Sequence, residues 1–269
     1  MLQPSKTPKT LLTPRDPQPV ETVNAGGRSP FVLTCEHAGR AVPESLGDLG
    51  GVAQADMDRH IAWDVGAEGL SRQLSTLLDA PLVLQRYSRL VVDCNRPFEA
   101  PDCFPAESDG TPVPANVGLT QSDRRQRFEE IHQPFHYELA RLLDERSASG
   151  DAPVLVAMHS FTLRLAGGPH RPWHLGVLAH RDRRLADSFL KEFQRRHPEV
   201  PSTYNQPYVV DDLTDYTIPV HGEARGIPHV LLEIRNDLIA NSEGHEVWAA
   251  SIAETLASAH PRAKGRTDG

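Results

Sequence analysis

Pro153-Val154-Leu155-Val156-Ala157-Met158-His159-Ser160 is an unbroken apolar run that delivers an imidazole at its end. A short continuous apolar run reads as a strand buried on both faces, the kind found in parallel sheets. Three more runs behave alike. Pro30-Phe31-Val32-Leu33-Thr34-Cys35 leads into Glu36-His37-Ala38-Gly39, and residues 82–92 lead into Asp93-Cys94-Asn95-Arg96-Pro97. His229-Val230-Leu231-Leu232 leads into Glu233-Ile234-Arg235. Open α/β sheets put their chemistry at the carboxyl ends of strands. Two histidines, a carboxylate and an Asn-Arg pair at such ends are the parts of a metal-assisted hydrolase acting on an anionic substrate.

Between these runs the chain alternates. Helices are expected over 58–78, 122–145 (capped by Ser122 and kinked at Pro134), 183–196 and 244–258. Strands are expected over 30–35, 82–93, 153–158, 174–179, 207–211 and 229–234. Residues 97–121 hold five prolines and little periodicity, the mark of a functional loop. This order predicts a mainly parallel sheet covered by helices on both faces. Residues 1–28 and 261–269, proline-rich or polar without an apolar period, read as flexible tails around one domain over 29–260.

Bulk numbers narrow the function. A chain of 269 residues, 39% hydrophobic and 24% charged, can bury a full core. Its formal net charge of -8 argues against a nucleic-acid partner. No apolar stretch is long enough to span a bilayer, and no apolar leader opens the chain. Three cysteines without CxxC spacing suit a reducing cytoplasm.

Of the 13 histidines, His37 and His159 stand out as metal ligands because both sit at strand ends. Asp58, where the helix should begin, is the chosen acidic ligand, although an N-cap is its ordinary job. Glu36, Glu44, His60 and Asp64 are alternatives, His60 and Asp64 being four apart on the expected helix. Glu233 ends an apolar strand, where a carboxylate is costly unless used or paired, and is the candidate general base. Arg235 shares its face and either pairs with it or joins the substrate-binding set. Asn95 and Arg96, with Arg89 in support, offer a fork for a substrate carboxylate. His221, in a loop-like stretch, is a candidate oxyanion stabiliser. His132 and His136 fit a solvated helix face and receive no role.

Cys35-Glu36-His37-Ala38-Gly39, His60-Ile61-Ala62-Trp63-Asp64, Tyr87-Ser88-Arg89-Leu90-Val91-Val92-Asp93-Cys94-Asn95-Arg96-Pro97, His159-Ser160-Phe161, His221-Gly222 and Leu232-Glu233-Ile234-Arg235 follow one another in an order that resembles the N-formylglutamate amidohydrolase family. The resemblance spans about residues 30–258. It implies a three-layer, zinc-exopeptidase-like α/β/α fold with a mixed, mostly parallel sheet. It also implies one Zn2+ per chain on His37 and His159, Asn95 and Arg96 on a substrate carboxylate, and Glu233 as base. The carboxypeptidase-type motif has Glu three residues after its first histidine. Here Arg40 stands there, so the acidic ligand must come from elsewhere. The implied substrate is a small anionic N-acyl amino acid such as N-formyl-L-glutamate. Competing expectations are a different zinc amidase or carboxypeptidase, or a non-catalytic carboxylate-binding protein.

Overall fold

In a computed structural model, residues 10–150 and 152–260 are described; the tail expected at 261–269 and the first nine residues lie outside them. In chain order the elements are β1 (Val20–Val23), β2 (Phe31–Cys35), α1 (Gln54–Met57), α2 (Ala67–Leu78), β3 (Leu82–Gln85), β4 (Glu107–Ser108) and β5 (Thr111–Pro112). They continue with α3 (Gln121–Arg127), α4 (Gln133–Ala148), β6 (Val154–Phe161), β7 (Leu175–Leu178), α5 (Arg184–Arg196), β8 (Ser202–Tyr204), β9 (His229–Arg235) and α6 (Ser242–Ala259).

The sheet runs β1-β3-β2-β6-β9-β7-β8. Its centre, β3-β2-β6-β9, is parallel, as is β7-β8, while β1 and β7 join antiparallel. Alternation along the central strands explains the three layers. Leu33, Val156 and Leu232 face α2, α5 and α6, packing with Leu74, Phe189 and Ile252. Val32, Val83 and Leu155 face the other way, onto Ile131, Phe135 and Leu139 before and within α4. A strand buried on both faces needs apolar residues at every position, which is why β6 and β9 read as continuous runs. β6 and β9 pair in register with His159 beside Glu233, so the two functional candidates sit side by side at one sheet edge.

The structure corrects several boundaries. Val20–Val23, expected in the N-terminal tail, forms β1 and pairs with β3, so the folded domain begins before residue 29. The single helix over 58–78 is two: α1 ends at Met57, and residues 58–66 run as turns. α2 starts only after Gly66, whose φ is +82° and where a Cβ would lie 2.0 Å from the Ile239 carbonyl oxygen. That conformation and closeness fit glycine alone. The strand over 82–93 stops at Gln85, whose side-chain oxygen accepts from the Tyr87 N–H at 2.7 Å and competes with sheet pairing. Residues 207–211 form no strand; β8 lies just before them. Thr120, not Ser122, caps α3, in a reciprocal capping box with Asp123. Around Pro134 the expected kink is a π-helical turn, Phe128–His132. It precedes the residue that has no N–H to give. No helix among the described residues is long and apolar enough to cross a membrane.

Candidate metal centre and active site

Three ligand atoms, one each from His37, Asp64 and His159, lie within 4.8 Å of one another. His37 follows β2, His159 is on β6, and Asp64 comes from the turn that replaces the expected helix. The backbone N–H of Asp64 donates to the His37 carbonyl at 2.9 Å, tying the turn to the loop after β2. The Asp64 carboxylate lies 2.9 Å from His159 Nδ1 and 3.4 Å from His37 Nδ1, and accepts from the Ser160 N–H at 3.1 Å. A different carboxylate stands behind each imidazole: Asp93 is hydrogen-bonded to His37 Nε2 at 2.7 Å, and Glu36 lies 3.0 Å from His159 Nε2 in ion-pair contact. Carboxylates behind ligating histidines fix ring orientation and tautomer.

The residues fit a metal ion. His37 Nδ1 is buried with no hydrogen-bond partner. Ligand atoms of a tetrahedral site with arms of 2.0–2.1 Å lie about 3.3 Å apart, and here one atom each from His37, Asp64 and His159 already lies within 4.8 Å of the others. The charges agree. Burial opposes ionisation throughout, yet Glu36 and Asp64 outweigh it at His159 and lift its pKa well above the usual imidazole range. At His37, burial and Arg89 are overcome by Asp93 and Asp64, which raise it too. Both rings therefore lie in a field that calls for positive charge.

Glu233 stands next to His159 on the same edge. Burial, the largest influence on it, pushes its carboxyl up to about 7. These groups line a cavity of about 450 Å³ together with His60, Arg89, Asn95 and Arg96. One side of it is apolar, formed by Leu178, Val210 and Leu231. Arg96 reaches it after pairing its Nε with Asp102 at 2.8 Å. Arg89 reaches it while Nε and Nη2 grip Asp93. Asn95 is already engaged: its oxygen accepts from the N–H groups of Tyr216 and Thr217, and its nitrogen donates to Asp215. Burial pushes that Asp215 carboxyl up to about 6.

Four expectations are corrected. Asp58 is half exposed and ion-paired to Arg40, away from the histidines, because the chain turns after α1 instead of continuing as a helix. Asp64, not Asp58, is the carboxylate grouped with the two histidines, and Glu44, paired with Arg15 at the surface, is equally remote. His221, expected to stabilise an oxyanion, is buried outside the cavity lining, and its Nε2 meets His136 Nδ1 at 3.0 Å. Arg235 also stays outside the lining, turned to Asp237 at 2.7 Å. His132 and His136, expected on a solvated face, are buried under residues 94–96 and Tyr216. Their spacing beside the Phe128, Ile131 and Phe135 stripe was the signal for that burial.

Residues 29–240 match the family model described as N-formylglutamate amidohydrolase. Among curated proteins, the N-formylglutamate deformylase of Pseudomonas putida is 27% identical over 222 residues, 76% of this chain and 70% of that one. Among solved structures, a gene product of Agrobacterium tumefaciens superposes with a TM-score of 0.88 at 35% identity, covering 93% of this chain and 97% of that one. The N-formylglutamate amidohydrolase of Ralstonia eutropha JMP134 shares the fold, with a TM-score of 0.62 at 17% identity over 89% of this chain and 96% of that one.

Proposed function

This chain belongs to the N-formylglutamate amidohydrolase family, and we propose that it is a zinc-dependent amidohydrolase that cleaves the amide of an N-acyl amino acid, with N-formyl-L-glutamate the first candidate. Formate and the free amino acid would be the products. The observation that carries this reading is the convergence of His37 and His159 on Asp64, with Glu233 alongside. Two imidazoles and a carboxylate suit zinc, held by three protein ligands in catalytic sites. When bound, the ion would polarise the scissile carbonyl and acidify a water.

The chain's own residues would do the rest. Glu233 takes the proton of the attacking water and returns it to the leaving amine; its elevated pKa suits both tasks near neutrality. Arg96, with Arg89 beside it, grips the substrate carboxylate and orients the amide toward Glu233. Asp93 and Glu36 hold the two imidazoles in place. The apolar side of the cavity favours a second reading within the same chemistry, in which the acyl group or side chain is larger and less polar than in N-formyl-L-glutamate. Three buried, unpaired cysteines suit a cytoplasmic setting.

Elemental analysis of the wild type and of His159→Ala, purified side by side and assayed with N-formyl-L-glutamate, tests the proposal. About one zinc per chain, lost in the variant together with hydrolysis, is the expected result. A wild type that takes up no metal after zinc is supplied would overturn it.

A further inference from the structure

A second set of buried histidines lies behind the cavity, and the mechanism above does not use it. Two π-helical turns, Phe128–His132 before α4 and Ile218–Glu223 before β9, supply His132 and His221, and α4 itself supplies His136. Such turns recur at functional sites. His132 Nε2 lies 3.0 Å from the Arg96 carbonyl oxygen, and His136 Nε2 lies 2.6 Å from that of Cys94. His136 Nδ1 meets His221 Nε2 at 3.0 Å, the two rings stacked within 10°.

Elementary bonding fixes the protons. A carbonyl only accepts, so the Nε2 atoms of His132 and His136 both carry hydrogen. A neutral imidazole has a single N–H, so His136 Nδ1 is a bare lone pair and the shared proton sits on His221 Nε2. The Nδ1 atoms of His132 and His221 are then lone pairs too, and both lack a partner. Burial agrees, lowering His132 to about 3 and His221 to about 4 and keeping both neutral.

The two carbonyls held this way flank Asn95. From the other side Asn95 is held by Asp215, Tyr216 and Thr217. The turn that sends Arg96 into the cavity is thus gripped at its backbone by two imidazoles and at its side chain by the 215–217 loop.

We propose that His136 and His132, backed by His221, are positioning residues: donating from Nε2 to the carbonyls on either side of Asn95, they fix the direction in which Arg96 meets a substrate carboxylate. The proposal rests on the reading of Arg96 given above. In zinc-loaded full-length protein, His136→Ala should raise KM for N-formyl-L-glutamate about tenfold while kcat changes far less. KM for the corresponding diamide, in which neither carboxylate is left for Arg96, should stay put. His136→Gln, whose side-chain N–H can reach the same carbonyl, should restore most of the loss. Equal damage to acid and amide, or no advantage of Gln over Ala, would overturn the proposal. Nitrogen-15 spectra of the wild-type imidazoles at neutral pH test it without turnover. Three neutral Nε2–H tautomers are expected, and a charged or Nδ1–H ring at His132 or His136 would sink it. A wild type that hydrolyses neither compound would remove the proposed activity while leaving the spectra to judge the histidines.

Discussion

Two groups of buried histidines share this molecule and differ in what they face. His37 and His159 face carboxylates on both ring nitrogens, and their pKa values are driven up. His132, His136 and His221 face carbonyls and one another, and theirs are driven down. Burial is nearly the same in both, so burial does not separate the proposed ligand histidines from the others. The partner does. An imidazole between two carboxylates lies where a cation is wanted; an imidazole against a carbonyl is a fixed dipole that can only point.

The widest break in this comparison should come from Asp64, the carboxylate between the two proposed ligand rings. Asp64→Ala should reduce zinc from about one per chain to a trace, with hydrolysis lost alongside; full retention of metal would remove Asp64 from the site. Glu233→Gln should keep the metal and lower kcat by about 10²–10⁴-fold. In the wild type, activity should rise with pH as Glu233 loses its proton, at or below about 7, because an added cation favours the carboxylate. That limb should vanish in the variant. The stability sign runs the other way for the metal-free protein. Its Glu233 holds a proton more tightly folded than unfolded, so stability falls as pH climbs from about 4.5 through about 7. Metal-free Glu233→Gln should therefore gain on the parent over that range, and a constant gap in thermal melts would contradict the burial argument.

A smaller effect belongs to the carboxylates behind the rings. Asp93→Asn and Glu36→Gln should weaken zinc by about 10–100-fold, as partners of ligating histidines do, without emptying the site at saturating metal. Competition with a chelator reads this directly. Unchanged affinity in both would mean that the rings are oriented by the fold alone.

What could be read in the sequence follows from how local each cause is. β6 and β9 were legible because burial on both faces writes itself as an unbroken apolar run, and His159 and Glu233 were legible because they end those runs. Asp64 was open only as an alternative. Its place depends on a positive φ at Gly66 and on a backbone bond to His37, and neither leaves a periodic trace. The burial of His132 and His136 depends on segments distant in the chain, around Cys94 and Tyr216, closing over them.

The least effect should come from Asp58, and it sharpens the contrast most cheaply. Asp58 and Asp64 lie six residues apart in one stretch, and a helical reading favours the first. The structure leaves Asp58 with 53% of its side chain exposed, paired to Arg40 across solvent, and buries Asp64 between the two rings. Exposed pairs of this kind contribute about 0–1 kcal/mol, and burial leaves Asp64 no water to replace its partners. Asp58→Ala should therefore bind zinc and turn over substrate as the parent does, with at most a small loss in melting temperature. If zinc were lost there and kept in Asp64→Ala, the turn between α1 and α2 would have to be a helix after all, and the account of the site would pass to the other carboxylate.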